Sequence, residues 1–495
     1  MSVDRDEVLI EACGASWRDV QIARLAGKES ISAPFVFDVE IAVGPTGEFD
    51  PGDALGVEVE LVFMRRGDEC RRIHGIVTIV DDLLLPRAEH RQYRLQVQPR
   101  VHSLALVETQ EIFLGATVPD IIAQKLELAG FLRDSDFRFA LSGAYPAREF
   151  VVQYRETDLA FISRLAEHLG ISFFFEHVEG ASGGQGHDRI VFTDQAAEFP
   201  MKLGGDESRF QPAGSPIEVI ELQSRRAVMP TFWAIQDYNY RIPTVDLAAA
   251  KELSDGNGGG VVEYAPNAKS PDEARTLVEV RAQEREALCR FHTGASHIAE
   301  FAAGAKFDLV DHPHVADGTR FLLVEVEHTA EQVTGLHGDR HGDLYRNKFR
   351  AVLASTTYRP PRQTPKPRIH GVLTATVSPL ASGSLGSSAQ LDDEGRYRLR
   401  FQFDTAPSDE RTVPSHPVRQ IQQHAGPNYG THFPLKPGTE VLVAFHDGDP
   451  DRPLIVGAAP NAITPSPVGA RDAQKHRIKT AAGVLIEMGE RPRAR

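Results

Sequence analysis

The chain has 495 residues, enough for about three domains with a core each, and its 41 Gly and 32 Pro punctuate a globular composition into many short elements. With 69 acidic against 54 basic side chains the net charge is −15, which argues against the phosphate-neutralising surface of a non-specific nucleic-acid binder. The opening MSVDRDEVLIEACG is acidic where a signal peptide needs a basic start and an apolar stretch, and no apolar run has the length of a membrane span, so neither a leader nor a span is expected. Cys13, Cys70 and Cys289 are scattered and odd in number, and read as reduced thiols rather than a disulfide frame or zinc site.

Taken in order, the first elements are strands: Val20–Leu25, Phe35–Val43, Val57–Phe63, Ile73–Val80 and Tyr93–Val97, separated by Gly, Pro or Asp turns. They predict a small barrel over residues 1–110. Gly75, inside the fourth of these runs as His74-Gly75-Ile76-Val77, reads as a place where a neighbouring strand comes close. Val118–Leu128 is an amphipathic helix, with Pro119 in its first turn and Ile121, Ile122, Lys125, Leu126 and Leu128 following. The stretch Phe150–His177 then reads as strand, helix and strand. Asp158, or alternatively Thr157, caps the helix; Leu159, Ile162, Leu165, Ala166 and Leu169 form its apolar stripe; Gly170 stops it. Arg164, Glu167 and His168 fall on other faces. As physics this is a core-forming βαβ unit within an α/β insert of residues 111–210, whose Gly180–Gly186 is a hairpin loop.

A second strand set from Ile217 to Ile242 offers Phe232, Trp233, Tyr238 and Tyr240 as large core residues. Asn257–Gly260 is a linker rather than a phosphate cradle, since no Lys-Ser or Lys-Thr follows it. Ser270-Pro271-Asp272-Glu273 is a capping box opening a helix to about Leu288. With strands at Lys306–Val310, Phe321–His328 and Asn347–Leu353 this makes a second barrel with a helix over 211–357. The proline-rich RPPRQTPKPR of Arg359–Arg368, in a linker of residues 358–368, is a semi-rigid connector. In 369–461 the strand candidates Gly371–Val377, Tyr397–Phe403, Val418–Gln422, Glu440–Phe445 and Leu454–Gly457 suggest an OB-type barrel. The fold class is mainly β with an α+β insert.

Several of these stretches also carry a resemblance. The order Q-Y-x-E-T-D-x-x-F-x-x-R-L-x-E-x-x-G-I-x-F-x-F-E-H at residues 153–177 resembles the hallmark of VgrG proteins, the spikes of type VI secretion systems, related to the hub and central spike of contractile phage tails. H-G-x-V at His74, VPDII at Val118, the connector, Asp392–Phe401, Gly448–Pro453 and HRIKTAAGVLIEM at His476–Met488 are similar to that family in the same order. The resemblance implies tandem hub barrels with an α/β insert, an OB-type barrel, and over residues 462–495 the start of a trimeric β-helix needle. It implies a non-enzymatic subunit that forms a homotrimer and puts two barrels per chain into a pseudo-sixfold ring. That ring would seat on a hexameric, Hcp-like tube protein beside baseplate subunits, with effectors or adaptors as further partners. Such a subunit is assembled in the cytoplasm and then secreted through the machine, to puncture target envelopes and deliver effectors. The needle stops within a strand or two of its beginning, which suggests a short spike base or a truncated chain and argues against a tip cap of the PAAR type. The rival readings are the spike of an extracellular contractile injection particle or prophage tail, a cell-envelope hydrolase, and an OB-type nucleic-acid binder.

The candidate chemistry is weak throughout, and no catalytic, cofactor or metal residues are assigned. Arg396, Arg398 and Arg400 alternate with Tyr397, Leu399, Phe401 and Phe403, so charge and aromatics lie on opposite faces, whereas strand binding needs both exposed together. Asp447, Asp449 and Asp451 have calcium-loop spacing, but Arg452 and Ala458 stand where an EF-hand needs Gly and Glu, so an Asx turn is expected. The clusters His337, Asp339, His341, Asp343 and Asp311-His312-Pro313-His314 read as polar hairpin tips, and His74 has no partner at ligand spacing. Cys289 and His292 are sequence neighbours at a helix end, not a dyad, and no G-x-S-x-G elbow occurs.

Overall fold

Strands with one apolar face dominate the chain, as the alternation requires. The computed structural model describes residues 7–12, 17–84, 90–180, 185–211, 218–331, 345–379, 388–405 and 415–489. By its internal contacts the chain forms two units: Met1–Val107, Val118–Tyr145 and Thr157–Pro365 in the first, and Glu108–Thr117, Pro146–Glu156 and Lys366–Arg495 in the second.

The first unit is built on a 12-stranded sheet. Its main path runs Glu7–Ala12, Glu58–Arg65, Asp68–Asp82, Arg91–Gln98, Ala33–Glu48, Arg18–Ser30, Thr319–Glu331, Tyr345–Leu353, Arg290–Ser296, Val219–Arg226. Every strand expected before Pro99 is present and longer than its apolar run, because antiparallel pairing continues past the last core residue. Glu7–Ala12, not anticipated, adds to the edge at Glu58–Arg65. Pairing of Arg18–Ser30 with Thr319–Glu331 carries the sheet from one expected barrel into the other. Two cores line it, one around Leu25, Phe37, Val39, Leu61 and Ile73, the other around Phe301, Phe307, Phe321, Leu323 and Phe349. At Gly75 a Cβ would stand 2.7 Å from the Gln98 carbonyl oxygen, which is the close approach the sequence suggested.

The helices are α1 (Pro51–Ala54), α2 (Val118–Leu128), α3 (Asp158–Leu169) and α4 (Pro271–Cys289). Thr157, the alternative cap, is the one used: its Oγ1 accepts from Ala160 N at 3.2 Å. Asp158 is thereby left to pair with Lys125 of α2 at 3.1 Å, both side chains buried. The polar residues Arg164 and Glu167 of α3, expected away from its apolar stripe, are buried as well, so the helix is enclosed on its charged faces too. Gly170 ends it in the left-handed region, φ 70°, where a Cβ would come within 2.6 Å of Val280 Cγ1 on α4. Gly170→Ala is therefore expected to cost about 1–2 kcal/mol from backbone strain, more with the crowding, read as a lowered urea midpoint.

The expected βαβ unit is not one. Val151–Thr157 pairs with Glu108–Phe113, whereas Ser172–Val178 pairs with His187–Thr193, itself parallel to Phe137–Ala140. The cause is burial: Val152 and Tyr154 belong to the core of the second unit. The cap of α4 forms at Ser270, whose Oγ accepts from Glu273 N, but the Glu273 carboxylate reaches back to Lys269 N at 2.7 Å, one residue before the N–H that a full capping box uses. α4 covers a three-stranded sheet ordered Leu247–Glu252, Phe232–Asp237, Gly260–Tyr264. Alternation there corrects the expected core: Trp233 and Ile235 face the helix, while Phe232 and Tyr238 are 37% and 43% exposed and Tyr240 is half-buried. Leu128 is likewise exposed.

In the second unit four strands lie in the order Arg398–Phe401, Val372–Ser378, Glu440–Phe445, Pro453–Ala458. The fifth candidate, Val418–Gln422, contributes only single bridges. They fall on both edges at once, Val418 to Tyr397 and Gln420 to Ile455, and so close the barrel. Tyr397, Leu399, Phe401, Val441, Val443 and Ile455 fill it, joined by Ile112, Phe150, Val152 and Tyr154. Lys475–Lys479 and Leu485–Gly489 form a two-stranded hairpin on which Ile478, Val484, Leu485, Ile486 and Met488 are exposed.

Candidate functional site

Three strands of the first unit's sheet, two of them paired with each other, place a charged or titratable residue on an apolar face: Glu29 on the face of Leu25, Arg71 on that of Ile73, and His328 between Val326 and Ala330. The three side chains converge inside the sheet. Arg71 Nη2 donates to Glu29 Oε1 at 2.5 Å and Nη1 to the Phe301 carbonyl at 2.8 Å. His328 Nε2 lies 3.0 Å from Glu29 Oε1, and its Nδ1 is 2.6 Å from the Tyr345 hydroxyl, which suits the neutral ring with its proton on Nε2. Asn347 donates to Tyr345 Oη and to the Ile298 carbonyl, and Ser296 Oγ donates to Asn347.

Burial pushes the Glu29 carboxyl up, but the charge of Arg71 and the contacts with His328 outweigh it and hold Glu29 down at about 2. Burial drives His328 below its ordinary value against the pull of Glu29. Nothing in this cluster is a nucleophile facing a cleft. Its partners are backbone carbonyls of the segment after Ser296, so it fastens that segment, from the second core, to strands of the first. Arg65 adds a bidentate pair with Glu300 at 2.7 and 2.9 Å.

A second polar network holds the connector. Arg359 donates to Gln283 Oε1 and to the carbonyls of Gly170 and Asp194. Arg362 lies 2.7 Å from Glu263 and 3.4 Å from Glu284, carboxylates that also face the fully buried Arg281. Glu167 accepts from Gln363 N, Thr364 N and Thr364 Oγ1 at 3.0, 2.9 and 2.8 Å.

The residues weighed for chemistry are structurally engaged. Arg396 pairs with Asp392 and Glu394, Arg398 reaches the Ser415 carbonyl, and Arg400 is exposed, while Tyr397, Leu399 and Phe401 are buried beneath them. Asp451 N donates to Asp449 Oδ1 in an Asx turn, and Lys366 Nζ bridges both carboxylates at 2.6 and 2.7 Å. Asp311 pairs with Arg209, and His312 packs edge-on against Phe210. His74 lies 3.3 Å from Glu60 and donates its backbone N–H to His177 Nδ1. Cys289 sits in an apolar cluster with Met229 and Leu253, whereas the His292 ring meets Phe321. The cluster His337, Asp339, His341 and Asp343 lies outside the described residues, as does Cys13. Among the described residues no group of three His, Cys, Asp or Glu side chains is placed to hold a metal ion. An open hollow of about 250 Å³ beside Ala295 is walled by Glu221, Glu325, Glu327, Lys348 and Arg350. No described helix is long and apolar enough to cross a membrane.

The described residues thus build a double-cored sheet fastened internally by salt bridges, and a small closed barrel. Residues 28–334 match the phage tail baseplate hub (GPD) family, and residues 388–459 the type VI secretion system/phage-baseplate injector OB domain. The chain belongs to the phage tail baseplate hub family. It is 32% identical over 468 residues to the type VI secretion system spike protein VgrG4b of Pseudomonas aeruginosa, which covers 91% of this chain and 55% of that one. It is 28% identical over 505 residues to the actin cross-linking toxin VgrG1 of Vibrio cholerae, covering 97% and 44%. The chain thus spans about half the length of the curated relatives it matches. Among solved structures it superposes on the E. coli c3393 protein with a TM-score of 0.65 at 22% identity, covering 91% of this chain and all of that one. That protein is described as a type VI secretion component similar in structure to the T4 tail proteins gp27 and gp5.

Proposed function

We propose that this chain is a spike and hub subunit of a type VI secretion machine, which trimerises, seats on a hexameric tube and is carried with it into target envelopes. The observation that carries this reading is the terminal hairpin. A two-stranded hairpin is at best marginally stable in water, yet this one presents Ile478, Val484, Leu485, Ile486 and Met488 to solvent. Sister copies winding against one another would cover those side chains and extend each ladder without leaving open edges. Two cores along one sheet further support a ring of six similar modules from three chains. The role is mechanical, and the buried charges serve rigidity rather than turnover.

Mass measurement of the full chain in solution tests the reading. Three copies are expected, reverting to single chains on Ile478→Asp with Ile486→Asp, while the far-ultraviolet circular dichroism is unchanged. A single-chain mass at every concentration, or release of cell-wall fragments by the purified protein, overturns it.

A further inference from the structure

The connector after Tyr358 lies in the first unit up to Pro365, and its attachment there is unusual in kind. Pro360, Pro361 and Pro365 supply no N–H donors and enter no strand, so ladder pairing does not hold it. Beyond buried Pro360 little apolar surface is covered: Arg362, Gln363 and Pro365 are exposed. What remains is a set of directional polar contacts on α3 and α4. The densest is the Glu167 carboxylate, itself 4% exposed, which takes three donors from the consecutive residues Gln363 and Thr364. Arg362 meanwhile shares Glu263 and Glu284 with Arg281, whose Nη1 and Nη2 also hold the His168 carbonyl and ring at the end of α3.

We propose that α3 and α4 form a clasp on the connector, with Glu167 as its bolt, so that residues 361–365 have a closed and an open state independent of the folding of the first unit. Directional bonds that share one acceptor are lost together, whereas apolar burial yields gradually. Opening returns three donors and one carboxylate to water, and leaves Glu263 and Glu284 to Arg281 alone. The clasp also gives Glu167 of the helix a task that its position opposite the apolar stripe does not explain.

Trypsin reads the clasp directly, because Arg362–Gln363 is cleavable while Arg359, followed by Pro360, and Lys366, followed by Pro367, are poor sites. When opening is fast, cleavage follows the open population. In the full chain Glu167→Ala is expected to speed cleavage after Arg362 by about tenfold or more, because the three hydrogen bonds to its carboxylate are lost together. Thr364→Val, which removes one donor from the connector and leaves α3 untouched, is expected to give a smaller acceleration in the same direction. Cleavage after Arg281, 0% exposed inside α4, reports unfolding of the unit and should stay unchanged in both variants. The proposal is overturned if neither variant changes cleavage after Arg362, or if the two sites accelerate in parallel.

Discussion

Arg71→Ala is expected to lower the unfolding free energy of the first unit by about 3–5 kcal/mol, the usual result of breaking a buried ion pair from one side. The guanidinium is 3% exposed, and its loss strands a carboxylate that is 7% exposed. The carbonyls of Ala299 and Phe301 lose their donor in the same step. Chemical denaturation followed by circular dichroism measures this, and a change under about 1 kcal/mol would show that the cluster is not what ties the two cores together. Arg71→Met combined with Glu29→Met should recover much of the loss, since a matched apolar pair leaves no charge behind.

Acid should undo the same junction without any mutation. Glu29 has its folded value lowered from 4.5 to about 2, so its ionised form contributes stability that is present above pH 4.5 and is lost as pH falls toward 2. That interval corresponds to about 3 kcal/mol. His177, whose value burial and then Arg71 push down to about 3, acts in the same sense: folding favours its neutral ring, and the preference costs stability progressively below pH 6.5. Thermal midpoints measured from pH 7 down to pH 3 should therefore fall steadily, and Glu29→Gln should flatten the lower part of the curve. A midpoint that rose on acidification would contradict the assignment of both groups.

How far the sequence reveals this architecture depends on the kind of signal. Alternation located the strands from Val20 to Pro99, and apolar stripes and caps located α2, α3 and α4, because these patterns are local, whereas Glu7–Ala12 and the four-residue α1 were not read. α2 falls at Val118–Leu128 as read, and α4 begins at its cap, Ser270. What escaped was decided at a distance. Leu247–Glu252, LAAAKE, has helix-favouring residues and becomes a strand only because Phe232–Asp237 pairs with it. Val152 and Tyr154 carry correct strand residues, but their partners are Ile112 and the barrel near Tyr397, far away in sequence. The Glu29, Arg71 and His328 cluster did leave a trace, since each breaks the apolar face of its own strand. A lone charge on an apolar face has many explanations, however, and only folding shows that three such breaks meet.

The small barrel is not a cassette. Two pieces of its interior, residues 108–117 and 146–156, are encoded hundreds of positions upstream of the rest, and they bring Ile112, Phe150, Val152 and Tyr154. A fragment beginning at Lys366 would leave the matching apolar wall bare and should be insoluble or loosely folded. Grafting this barrel onto a relative would require transplanting three stretches of gene together, so recombination between family members is constrained to breakpoints that keep those stretches from one parent.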